Sequence, residues 1–119
     1  MAEPTTRLKV KDSGGVSLVE FADRKILDEM CIAEIEEELF KLVDSGGSRN
    51  LLLSFSNVGH FSSAALGMLL KLKKKVDERK GTLKLSDINP QIYDVFKITQ
   101  LNKKFDIYPS AEKARASFS

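Results

Sequence analysis

His60, Ser62 and Ser63 lie close together in the stretch Asn57-Val-Gly-His-Phe-Ser-Ser-Ala-Ala-Leu-Gly-Met-Leu-Leu70. An imidazole beside hydroxyls suggests two chemistries. One is nucleophilic attack, with the histidine as base. The other is phosphoryl acceptance by a serine, which adds roughly −1.5 to −2 charges at one point of the surface. The first needs a third group to hold the base and a site for an oxyanion. The surrounding residues, His60-Phe-Ser-Ser-Ala-Ala65, lack the Gly-x-Ser-x-Gly elbow, and the next acid along the chain, Asp77, falls far down the following helix. A small serine hydrolase is therefore the least favoured reading, and no catalytic residue is assigned. The second needs only an accessible hydroxyl, and a helix N-terminus is a favourable place for the added charge.

The elements on either side create that setting. Leu51-Leu-Leu-Ser-Phe55 is apolar without alternation, as in a strand covered on both faces. Ala65, Leu69, Leu72 and Val76 then mark the buried stripe of an amphipathic helix that Gly81 ends. Strand, Ser-containing loop and helix together present hydroxyls and unpaired backbone N–H groups at a positive helix end. Serine is also a favoured N-cap, so capping by one serine and exposure of the other are compatible.

Before this unit, Leu8 and Val10 alternate with Arg7, Lys9 and Lys11, and Val16–Phe21 reads as a second strand after the Asp12-Ser-Gly-Gly15 turn. The two form an antiparallel hairpin. Ile32, Ile35, Leu39, Leu42 and Val43 share a helical face opposite Glu34, Glu36, Glu37, Glu38 and Lys41, with Asp28 as N-cap and Gly46 as stop. After it come a strand at Thr82–Ser86 and a short helix announced by Asn89-Pro90 and lined by Ile92, Val95 and Phe96. A strand at Phe105–Tyr108 and a last helix from Pro109-Ser110, with Ala111, Ala114 and Phe118 inward, close the chain. The pattern predicts one α/β domain over residues 1–119, with 1–5 as a flexible tail, in the order β-β-α-β-α-β-α-β-α. About five strands form a mixed, mostly parallel sheet, served by about four helices, with the hairpin strand at one edge.

Composition narrows the function classes. With 119 residues, 42% apolar and 30% charged, the chain has the make-up of a single globular domain. The net charge of +2 decides little by itself, although a dedicated nucleic-acid binder usually shows a much stronger basic excess on one face. The run Lys71, Lys73, Lys74, Lys75, Arg79 and Lys80 is broken by Asp77 and Glu78 and has no interleaved aromatics, so it reads as a solvated helix face. The glutamates of the first helix read likewise, or as a patch for a basic partner. One cysteine, Cys31, and one histidine leave no disulfide framework and no Cys/His metal cluster. No phosphate-cradling Gly-rich loop is present, so no cofactor is expected. No apolar run approaches the roughly 20 residues that cross a bilayer, and the N-terminus lacks a secretory pattern. No direct membrane or nucleic-acid contact is expected, and the location expected is cytoplasmic. An exposed hairpin edge leaves the chain a monomer or a weak dimer.

The order of elements from Leu8 to Phe118, and the central stretch above all, resembles the STAS domain family, whose bacterial members are anti-sigma factor antagonists. The markers are Leu51–Phe55 leading into Phe61-Ser-Ser-Ala-Ala-Leu-Gly-Met-Leu-Leu70, then Gly81-Thr-Leu-Lys-Leu85, and Val95-Phe-Lys-Ile-Thr-Gln-Leu101 before Phe105-Asp-Ile107. Leu66, Gly67 and Leu69-Leu70 match the family pattern. The family's aspartate falls on Ser62, its first serine on Ser63, its phosphoacceptor on Ala64 and the following glycine on Ala65. The usual acceptor position thus has no hydroxyl. Either phosphorylation has moved to Ser63 or Ser62, or the domain works without it as a scaffold or interaction module. The retained Ser-Ser pair favours the first.

The resemblance implies a binding protein and not an enzyme. It docks through residues 57–71 on an anti-sigma factor, itself often a GHKL-type serine kinase, and a serine phosphatase would reverse the modification. The expected contacts are Val58, Phe61, Ser62, Ser63, Ala64, Met68 and Lys71, with Ser63 and Ser62 as phosphorylation candidates.

Overall fold

The computed structural model describes residues 8–13, 15–44 and 50–118. The expected tail at 1–5 and the Gly46 helix stop lie outside the described residues. Five strands form the main sheet in the order β1-β2-β4-β6-β7: β1 (Leu8–Ser13), β2 (Val16–Phe21), β4 (Asn50–Ser54), β6 (Thr82–Ser86) and β7 (Asp106–Tyr108). β1 and β2 pair antiparallel with Leu8 opposite Phe21, and every other neighbouring pair is parallel. Each parallel step runs in the same direction across the sheet. Right-handed crossovers therefore place α1 (Glu29–Asp44), α2 (Ser63–Glu78) and α3 (Pro90–Ile98) on one face.

The pleat divides the core. Val19, Leu51, Leu53, Leu83 and Leu85 point to the three-helix face and meet Ile35 and Leu39 of α1, Leu69 and Leu72 of α2, and Phe96 of α3. Leu52 and Val16 point the other way, onto Ala114 of the short helix α4 (Ala111–Ala116), with Tyr108 and Phe118 packed alongside. This two-sided burial is why β4 reads as an uninterrupted apolar run.

The caps agree with the residue signals. Asp28 accepts the Cys31 N–H at 2.7 Å, Asn89 the Ile92 N–H at 2.8 Å and Ser110 the Lys113 N–H at 3.2 Å. The end of α2 differs in detail from expectation. Gly81 donates to Val76 O and Lys80 to Asp77 O, but Lys80, not Gly81, takes the left-handed conformation at φ 60°.

Two features had no sequence signal. β3 (Lys25–Ile26) and β5 (His60–Phe61) form a separate two-residue parallel ladder, and a 3-10 turn at Leu101–Lys103 leads into β7. A two-residue strand is too short to show a period.

Candidate functional site

The loop after β4 lies at the carboxyl end of the parallel strands, where the amino ends of α1, α2 and α3 also point. It is held by hydrogen bonds from both sides. On one side Arg24 O accepts the Gly59 N–H at 2.7 Å and the His60 N–H at 3.1 Å, and Asn57 Nδ2 donates to Ala22 O at 2.9 Å. On the other, Asn89 Nδ2 donates to Val58 O at 3.2 Å and Gly59 O at 3.3 Å, while its Oδ1 caps α3. Beneath the loop the Phe55 ring meets Phe21 at a tilt and Phe61 edge-on, with ring centroids 5.0 and 5.3 Å apart. A polar knot continues at the strand ends, where Ser86 Oγ donates to Asp87 Oδ2 at 2.8 Å and Ser54 Oγ to the same oxygen at 3.3 Å. The loop is thus a fixed surface presented by a rigid frame.

Ser62 and Ser63 take different roles. Ser62 is the N-cap of α2: its backbone is extended and its Oγ accepts the Ala65 N–H at 3.2 Å. Its own N–H donates to Ile26 O, which ties the helix start to β3. Ser63 and Ala64 are exposed in the first turn, and that turn contains no acidic residue. Lys71 is exposed two turns on, 3.9 Å from Glu36.

The remaining expected contacts lie elsewhere. Val58, Phe61 and Met68 are 3%, 7% and 2% exposed and belong to the main core, so their side chains are not available to a partner in this conformation. The cause is local: Val58 closes a turn onto Phe55, Phe61 joins the aromatic cluster, and Met68 sits on the inward side of α2. His60 is exposed on β5, and the Ser62 oxygen accepts the cap bond of α2.

Two apolar residues at this end were not anticipated. Leu27 is 50% and Met30 71% exposed; Leu27 precedes the Asp28 cap, and Met30 falls off the Ile32–Ile35–Leu39 stripe of α1.

A family model for the STAS domain matches residues 8–114. The chain belongs to the STAS domain family. A Bordetella bronchiseptica protein named as the anti-sigma factor antagonist BtrV is 32% identical over 85 residues, covering 71% of this chain and 72% of that protein. Among solved structures, an anti-sigma-factor antagonist STAS domain protein from Planctomyces limnophilus superposes with a TM-score of 0.85 at 17% identity, over 98% of this chain and 100% of that one. The phosphorylated form of Bacillus SpoIIAA gives a TM-score of 0.72 at 14% identity, over 94% and 99%. At these identities the structural likeness establishes the shared fold. In this STAS domain the mixed five-stranded sheet, with the hairpin strand at one edge and four helices, is the fold that the sequence resemblance implied.

Proposed function

We propose that this STAS domain is an anti-sigma factor antagonist that docks on an anti-sigma factor through the start of α2 and thereby frees a sigma factor. The reading is supported above all by the first turn of α2, where Ser63 and Ala64 stand exposed on a neutral, positively polarised helix end held by a rigid loop. The relatives that carry the antagonist name add to it. The contact residues on this reading are Ser62, Ser63, Ala64 and Lys71, with Val58, Phe61 and Met68 shaping the surface from beneath.

Ser63 is the proposed phosphoacceptor, because Ser62 Oγ is engaged in capping. The partner is an anti-sigma factor with serine kinase activity of the GHKL type, opposed by a serine phosphatase, in the cytoplasm. A phosphate there adds roughly −1.5 to −2 charges to a surface that the complex desolvates. Burying it without a paired cation opposes docking. A second reading, a phosphate-independent interaction module, is favoured by Ala64 at the family's acceptor position.

The test is capture of partners by the tagged full chain from its own host, with intact-mass analysis of the recovered protein and titration of S62D/S63D against the captured partner. An anti-sigma factor in the eluate and a large loss of affinity in the double variant are expected. Unchanged affinity refutes phosphate control at this turn. The partner recovered with unmodified serines in every growth condition selects the constitutive module.

A further inference from the structure

Leu27 and Met30 are half or more exposed at the end of the domain where Val58, Phe61 and Met68 are buried. Their position relative to α2 follows from two registers. β3 and β5 pair Ile26 with Phe61, and the Ser62 N–H donates to Ile26 O, so Leu27 emerges beside the cap of α2. α1 and α2 run parallel, because their cross-helix pairs advance in step: Glu36 with Lys71, Phe40 with Lys75, Asp44 with Arg79. Two turns back along the same seam, Glu29 comes alongside Ala64, and Met30 is the next residue outward. Leu27, Met30, Ala64 and Gly67 therefore form one continuous surface, with Lys71 at its far margin.

Gly67 makes that surface unusual. It lies inside α2, where glycine is a poorer helix former than alanine. A Cβ placed on it would meet no atom within 4 Å. The fold gives no reason for a bare backbone there, whereas a partner approaching closely would. The surface also has a charge edge. On the α1 side it is rimmed by exposed Glu29, by Asp28, which caps α1, and by Glu37, which pairs with Lys41 at 3.4 Å, while Arg24 and Lys25 are exposed on the β3 side.

We infer that the docking surface extends from α2 across the seam onto the start of α1. Leu27 and Met30 are its apolar anchors, and its partner element is an apolar pocket flanked by Lys or Arg where it meets α1. The inference rests on the antagonist reading, since it describes the same site. Exposed apolar side chains clustered on a small monomer-sized surface mark contact sites, and methionine adapts to an imperfect pocket. The acidic rim steers a basic partner and sets its register more than its affinity.

The experiment measures binding of the anti-sigma factor captured as above to L27S, M30S, the L27S/M30S pair, E29Q/E37Q and S63D, at low and moderate salt, with a thermal melt of each variant. L27S and M30S are expected to bind about tenfold more weakly each, as centrally placed anchors do, with unchanged melting. E29Q/E37Q is expected to slow association and flatten its salt dependence. Wild-type affinity in folded L27S/M30S, with S63D still impaired, overturns the extended surface and leaves the antagonist reading standing. Wild-type chain that binds no anti-sigma factor overturns both.

Discussion

Replacing Gly67 with alanine separates what the fold needs from what docking needs. In the second turn of α2 the position has ordinary helical backbone, and the space above its Cα is open within 4 Å. No steric penalty offsets the helix-propensity gain, so Gly67→Ala is expected to stabilise the chain by about 0.5–1 kcal/mol. For a domain of this size that is a rise in Tm of roughly 2–5 °C. The methyl group also occupies the point where the partner is inferred to meet the helix backbone. Overpacking a close contact costs about 1–3 kcal/mol, so affinity is expected to fall by roughly five- to 150-fold. Circular dichroism melts of the free chain and calorimetric titration with the captured anti-sigma factor read the two quantities separately. A more stable variant that binds as well as wild type refutes the idea that glycine is kept for close approach. A less stable variant refutes the account of open space above the helix.

Ser62→Ala removes the α2 cap and is expected to cost about 1 kcal/mol, whereas Ser62→Asp keeps an acceptor and stays near wild type; chemical denaturation distinguishes them. Asn89→Ala frees two loop carbonyls and uncaps α3 together, and is expected to cost about 1–3 kcal/mol, with faster amide exchange at Gly59 and His60 than a cap loss alone gives. The Tyr108 hydroxyl is held below its ordinary pKa of 10.0, first by a hydrogen bond from Ser117 and then by one from Lys84. Lys84→Met is expected to raise that titration, followed by phenolate absorbance. Because the folded pKa is the lower one, Tyr108 adds stability only as pH rises through it toward 10.0, and that alkaline gain shrinks in the variant.

Much of the fold was legible because the core obeys simple periods. Ala65, Leu69, Leu72 and Val76 are spaced as one helical stripe and are all buried, and Leu51–Leu53 read as a doubly covered strand. The caps at Asp28 and Asn89, and a cap by one of Ser62 and Ser63, were legible because each relies on one short side chain bonding nearby backbone; the structure assigns the last to Ser62. The surface of the site was less so. Val58, Phe61 and Met68 lie in the expected stretch but turn inward, since sequence position fixes the loop and not which way each side chain points. Leu27 and Met30 lay outside the reading, because their relation to α2 depends on the two-residue β3–β5 ladder and the α1–α2 seam. Such pairings between distant segments leave no local pattern.

The sheet is covered unevenly, and this orders how the molecule opens. Three helices share one large core, while α4 alone shields Val16 and Leu52, fastened by Lys84 through Ser117 at 2.6 Å and by the faces of Tyr108 and Phe118. A six-residue helix with one fully buried side chain is the cheapest unit to detach. Its amides should therefore exchange first, well ahead of global unfolding. Each such excursion uncovers a strip of β2 and β4 without disturbing the α2 start. The chain can thus breathe on the α4 face of the sheet while the proposed docking surface on the helix-rich side keeps its shape.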